Sequence, residues 1–536
     1  MKRILSLVLV LALIATLGIT SAFAADDGFV DGKFTETRHI TVEIFNRNND
    51  GGTDPTDNVW TTWIKEKMLE KYNVEVEFVS VGRWSEADDI PNLLATGEAP
   101  DVSYTYNIGA INTYAAMDGV IDLKDLLDEY KDYLGDLIAL VLGEENLYYD
   151  QDPTTGAVYC IEGSKPNVAR ITTFIRADWL TKLNLAVPTT EEEFYNCLVA
   201  FRDNAETLLG ADADKMIPYT TSTDIGWRND LLSISYVADD ISDETLFVYG
   251  YDDRHTTYPG YKEGIRVLNK WYNEGLVWKD FALYTDSTVE DDNMKAGYVG
   301  AFQHNWDYPY RNGDDCINAN LARNVGPDAK FIAVDCFQND AGITRKFLGS
   351  PVGSDRKIFL PATNDEPLAS LLYVNFISSE EAYTFLQTGL EGVNYTMTDD
   401  GAYELLAATG EWVKNSGNNI DYTMTLNGIL LGDATEMLSY PGIPADEVAL
   451  AKEYGMNNGR FAKHYSVGTI EAENEVGSSL TTKRDELLTK AVTASVEDFD
   501  AVWDEHYADY MAIGGEAIVD ERIEKLEAFY GIKYEK

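Results

Sequence analysis

Residues 40–52 read ITVEIFNRNNDGG, residues 74–84 VEVEFVSVGRW and residues 97–106 GEAPDVSYTY. In the first, Ile40, Val42 and Ile44 alternate with polar neighbours, the period-2 pattern of a half-buried strand, before a polar, glycine-rich run breaks it. Val74, Val76 and Phe78 repeat the pattern against Glu75 and Glu77, and Asp101 to Tyr106 reads as a third strand. Between the first two strands, Trp60, Ile64, Met68 and Tyr72 fall on one helical stripe that Asp57 can cap. Before the third, Ser85 and Asp88 have capping-box spacing, Gly97 stops the helix and Pro100 bars its continuation. Two strand–helix–strand units in tandem imply a parallel sheet, which binds ligands beyond the carboxyl ends of its strands. The loops at those ends carry Arg47, Asn48, Asp50, Arg83, Trp84 and Asn107, which are hydrogen-bonding groups and a flat stacker with no evident nucleophile.

With 536 residues the chain exceeds one ordinary core, so two or three domains are expected. Lys2 and Arg3 precede an apolar run from Ile4 to Ile19, and Ala22-Phe23-Ala24 has the small-residue pattern of a cleavage site. Residues 1–24 thus read as an export signal too short for a membrane span, and no later stretch is apolar enough to be one. The mature chain is expected outside the cytoplasm, periplasmic or secreted. Loss of the signal takes the formal charge from −49 to about −51. So acidic a chain is a poor partner for nucleic acid or an anionic membrane, both of which are held by Lys and Arg. Cys160, Cys197, Cys316 and Cys336 form no C-x-x-C pair, and a bridge between Cys316 and Cys336 is left open by their spacing.

A second α/β region follows a Gly- and Pro-containing crossing at residues 162–170. Ile171–Ile175 is a strand, Thr190 and Glu193 suit a capping box, and Val299–Phe302 is a strand that delivers His304, Asn305 and Trp306. Residues 118–143 and the acidic tail 496–530 read as helical.

The residues at 97–102 (GEAPDV), 175–180 (IRADWL), 187–190 (VPTT), 272–276 (YNEGL) and 391–396 (EGVNYT) resemble extracellular solute-binding proteins of ABC importers, in the large carbohydrate-binding branch. The resemblance implies a two-lobed α/β periplasmic-binding-protein-like fold, each lobe discontinuous in sequence, with a hinge between them. Lobe one would take residues 36–164 and 352–410, lobe two residues 165–351 and 411–536. It implies a monomer that captures a carbohydrate by lobe closure and hands it to the permease subunits, with no cofactor. One departure stands out, since no Cys follows the cleavage site to carry a lipid anchor.

Sugar recognition needs aromatic faces for C–H-rich rings and forked hydrogen-bonding groups for hydroxyls. The candidates are Asn48, Asp50, Arg83, Trp84, Tyr106, Trp227, Asn305, Trp306 and Tyr308, with Trp84 and Trp306 foremost; each aromatic among them also suits plain packing. Trp60, Trp63, Trp179, Trp271 and Trp503 lie on helical stripes and read as core. The run Asn46-x-Asn48-x-Asp50-Gly51 imitates a calcium loop only weakly, lacking the opening Asp and the closing Glu, so no metal is assigned. G-x-S-x-G, P-loop, G-x-G-x-x-G and cysteine zinc patterns are all missing. The chain therefore reads as a binding protein and not an enzyme. Two alternatives stay open: a peptide or other small solute as ligand, and a secreted glycoside hydrolase, which needs only two carboxylates across a cleft.

Overall fold

The computed structural model describes residues 28–47, 53–165, 168–284, 288–311, 315–339, 342–397, 403–406, 408–414, 419–426, 438–439 and 444–536. The expected export signal and cleavage site lie outside the described residues, as do Asn48 and Asp50.

The first elements follow the sequence pattern. Strand β1 (Arg38–Asn46) pairs in parallel with β2 (Val74–Gly82) over nine residues, joined by helix α1 (Val59–Tyr72). The cap of α1 is Asn58 rather than Asp57: its side chain accepts from the Trp60 and Thr61 amides, and the Thr61 hydroxyl closes the box. Helix α2 (Glu86–Thr96) begins without a side-chain cap, because the Ser85 hydroxyl is turned to Asp89 instead. Gly97, at φ 72°, ends it as expected. Val102 bridges Val42 in parallel and leads into β3 (Ser103–Thr105), after which α3 (Ile108–Ala115) starts at the Asn107 cap. Residues 118–143 form two short helical pieces, Lys124–Tyr130 and Gly135–Leu140, rather than one helix.

After β4 (Ile161–Ser164) the chain enters its second unit, with β5 (Ile171–Arg176), helix α4 (Glu191–Asp203), β6 (Ile217–Thr220) and the single turn α5 (Ile225–Arg228). Then come α6 (Tyr261–Asn273), α7 (Thr288–Ala296), β7 (Val299–Asn305) and β8 (Phe331–Val334). These strands make a mixed sheet in the order β8-β5-β7-β6, parallel only between β6 and β7. At α4, Thr190 accepts from the Glu193 amide, but Glu193 reaches back to Thr189, so only half of the expected box forms.

Strand β9 (Lys346–Leu348) precedes β10 (Val352–Phe359), which returns to lie antiparallel between β3 and β4. Helices α8 (Pro367–Ile377) and α9 (Glu380–Thr388) follow. Later, α10 (Ala445–Met456), β11 (Gly459–Phe461), α11 (Glu471–Thr493) and α12 (Phe499–Tyr510) belong with the second unit. The expected tail helix is split by a π turn at Met511–Gly515 before α13 (Glu516–Tyr530), where Gly514 sits at φ 157°.

The two largest apolar clusters among the described residues lie one in each unit. One gathers Val42, Trp60, Tyr104 and Ile161 with Ile358, Phe376 and, past the expected boundary, Tyr422 and Met424. Tyr422 anchors its segment by donating to the Pro55 carbonyl. The other core gathers Ile175, Trp179, Phe201 and Trp271 with Leu487, Phe499 and Trp503. Trp60, Trp179, Trp271 and Trp503 are buried and Trp63 partly buried, as their stripes predict. All four cysteines are buried free thiols, so the open Cys316–Cys336 bridge does not form; Cys316 instead caps a helix through the Ala319 amide.

Candidate functional site

At the carboxyl ends of β1 to β3, three side chains stack. The Arg83 guanidinium lies 4.4 Å from the Tyr106 ring centre and 5.2 Å from both Phe45 and Trp84. Glu86 fixes it from below at 3.1 Å, while the other Glu86 oxygen accepts from the Thr105 hydroxyl and, at 3.0 Å, from the Tyr106 amide. Trp84 remains 75% exposed, an indole held beside a guanidinium. Behind the stack, Arg356 donates to the Tyr106 hydroxyl at 3.1 Å and to the Ile420 carbonyl at 2.6 Å. Arg47 binds Asp421 through two contacts, 2.7 and 2.9 Å. Burial would depress both guanidiniums, but Asp421 and Tyr106 keep them charged.

The second unit offers another aromatic group. Arg170 lies 4.7 Å and Arg254 5.0 Å from the Trp227 ring centre. Arg254 forks onto Asp224 with two contacts of 2.8 Å, and Asp224 also caps α5 through the Trp227 amide. Burial would raise the Asp224 carboxyl, but Arg254 outweighs it and holds the group low. The Arg170 carbonyl accepts from the Trp306 amide at 3.0 Å, so one residue of the crossing ties Trp227 to Trp306. Trp306 and Asn305 are half-buried at the end of β7, as the strand reading predicts. Gly455 of α10 packs so closely there that a Cβ on it would sit 3.2 Å from the Trp306 Cβ.

Tyr308 goes elsewhere. It stacks on His304 at 3.5 Å between ring centres, donates to Asp291 at 2.6 Å and borders a small core around Phe302. Burial, with Arg228 and Arg311, keeps His304 neutral well below its usual titration range.

Helix α11 spans the two groups. Asn474 near its start donates to Thr113 of α3 at 3.3 Å, one turn and a half beyond Tyr106 and Asn107. Further along, Arg484 pairs with Asp252 at 2.8 Å, next to Asp253, whose carbonyl accepts from Arg170. Asn474 and Arg484 lie about 15 Å apart along the helix, at a rise of about 1.5 Å per residue. Of the residues expected at the site, Arg83, Trp84 and Tyr106 come together, Trp227, Asn305 and Trp306 come together, and Tyr308 joins neither. Sequence reasoning passed over Arg170, Asp224, Arg254 and α11; the dense run Tyr251-Asp252-Asp253-Arg254 was the available signal.

A fold in two α/β units, with aromatic groups at strand ends, has counterparts among solved structures. The fructooligosaccharide-transport protein FusA of Streptococcus pneumoniae, in complex with kestose, superposes with a TM-score of 0.65 at 14% identity, over 92% of this chain and 100% of that one. The alginate-binding protein AlgQ2, without calcium ion, gives 0.63 at 17% identity, over 93% and 99%.

The fold is that of an extracellular solute-binding protein.

By sequence, lipoprotein LipO of Bacillus subtilis is 24% identical over 345 residues, covering 62% of this chain and 64% of LipO. FusA is 23% identical over 270 residues, 48% of this chain and 42% of its own length. The chain thus aligns with less than two thirds of the length of these curated relatives, and no family model matches it. The family motifs have physical reasons here. In residues 175–180, Arg176 is fully buried, forks onto Asp178 at 2.9 and 2.8 Å, donates to the Gly297 carbonyl and lies 4.6 Å from the Trp179 ring.

Proposed function

We propose that this solute-binding protein works outside the cytoplasm, captures an oligosaccharide between its two lobes and presents it to the permease of an ABC importer. The observation that carries the reading is Trp84, a largely exposed indole at strand carboxyl ends, beside Arg83, which also lies over Tyr106. Indole faces cover the C–H side of a sugar ring, and the flanking polar groups take its hydroxyls. Asn48 and Asp50, in the loop after β1, are proposed to complete the first group, and Asn305 the second. The names of FusA and its kestose complex support a sugar ligand, and the named relatives are binding proteins rather than enzymes. The Asn474–Thr113 contact between α11 and α3 supports lobe closure over the ligand, since such a contact is made only when the lobes approach.

A thermal-unfolding screen against neutral oligosaccharides, uronate oligomers and peptides tests this reading. A ligand of the native state raises the melting temperature by mass action. We expect an oligosaccharide to raise it and to be recovered uncleaved after long incubation. A response to peptides alone, or shorter sugars on chromatography, refutes the proposal.

A further inference from the structure

We infer that the cleft selects uncharged oligosaccharides and discriminates against uronates and other anionic sugars; the inference rests on the sugar-binding reading above. Recognition of a sugar carboxylate needs a guanidinium or ammonium group with charge left to offer. In this cleft each guanidinium around the aromatic groups already has a carboxylate within 4 Å. Arg83 has Glu86 at 3.1 Å, in contact with Trp84 and Tyr106. Arg47 and Arg356 share Asp421, at 2.7 and 3.4 Å. On the other side, Arg254 is taken by Asp224 and Asp253, and Arg170 by the Asp253 carbonyl with Asp230 at 3.8 Å. Arg484, on the spanning helix, is taken by Asp252.

After residue 27, every Lys and Arg of the chain lies among the described residues. The guanidiniums therefore act as flat, neutralised hydrogen-bonding shelves over aromatic rings, suited to hydroxyls. A uronate entering here would lose its hydration without gaining a charge partner, inside a protein whose net charge of −49 already opposes it.

The test is calorimetry and thermal unfolding with matched ligands: oligogalacturonides and their fully methyl-esterified forms, beside neutral fructo-, malto-, cello- and galacto-oligosaccharides. We expect a neutral sugar to bind, the uronates to bind at least about tenfold more weakly than their esters, and neutral affinity to change little between low and high salt. A second arm uses Glu86→Gln, which keeps the acceptor for the Tyr106 amide but frees the Arg83 charge beside Trp84. In this variant uronate affinity should rise about two- to fivefold relative to that for the neutral sugar, the scale of a partly exposed ion pair. Uronates binding as tightly as their esters would overturn this inference and leave the sugar-binding reading standing. So would uronate affinity unmoved in Glu86→Gln. Failure of every sugar to bind would overturn both.

Discussion

Trp84→Ala separates a ligand platform from a structural residue more cleanly than any other change in this chain. At 75% exposure the indole contributes little to either core, and the Arg83 guanidinium lies 5.2 Å from its ring centre. Removing it should shift folding stability by no more than about 0.5 kcal/mol, as for an exposed position. A pyranose ring laid on one indole face would cover about 80 Å² of apolar surface, which at about 25 cal/mol/Å² amounts to about 2 kcal/mol. The dissociation constant should therefore rise about thirtyfold. The assay is titration calorimetry with whichever neutral oligosaccharide raises the wild-type melting temperature most, alongside a denaturant melt of both proteins. A variant that binds the sugar as tightly as wild type would refute the reasoning, because nothing else about Trp84 explains a largely exposed indole at these strand ends. Lowered stability with intact affinity would place the ring in packing that its exposure denies.

Three further outcomes follow from the same structure. Asp421→Ala leaves Arg47 and Arg356 without their shared carboxylate and should cost about 3–5 kcal/mol in a chemical melt, as for breaking a buried ion pair. Gly455→Ala puts a methyl 3.2 Å from the Trp306 Cβ, 3.3 Å from the Ala169 Cβ and 3.3 Å from the Thr172 hydroxyl, three elements that cannot all yield. Overpacking of about 1–3 kcal/mol should exceed the helical gain of about 1 kcal/mol, so the melting temperature falls and sugar affinity with it. Glu43 is buried in β1, and desolvation, with Glu86 nearby, raises its carboxyl well above the usual range. A raised folded-state value means the native chain holds this proton more tightly than the unfolded chain, so its stability is full at acid pH and is lost as pH rises through the raised value. Glu43→Gln, which keeps the acceptor for the Tyr104 amide, should flatten that decline in melts taken across pH 4–9.

The sequence displayed the parts of the fold that repeat. Alternation at Ile40–Ile44 and Val74–Phe78 located β1 and β2 because a strand with one buried face must alternate. The motif residues 175–180 located the edge of the second unit because Arg176 has to be buried with its partners. Helix starts were less legible: Asn58 and Asp57 are both good caps, and only backbone geometry chooses between them. The packing of Tyr422 and Met424 was not legible because their segment carries no period of its own and is recruited by contacts far away in sequence. At the site, Trp84 and Trp306 were legible as aromatics at strand ends. Tyr308 satisfied the same rule but turned inward, since Asp291 offered its hydroxyl a buried acceptor. Arg170, Arg254 and α11 escaped because their roles depend on pairings between distant segments, which single-sequence patterns do not encode.

The pairing of sequence-distant segments within each unit also orders how the molecule can be made. Arg47 meets Asp421 across 374 residues, and Asn58 meets Tyr422 across 364, so the first unit cannot close its core until most of the chain exists. The second unit waits longer still, for Leu487 to Trp503 at the far end. Contacts of such sequence separation make folding slow, because the intervening chain must be ordered before they form. A chain cut after residue 415 should consequently yield no stable fragment of either unit.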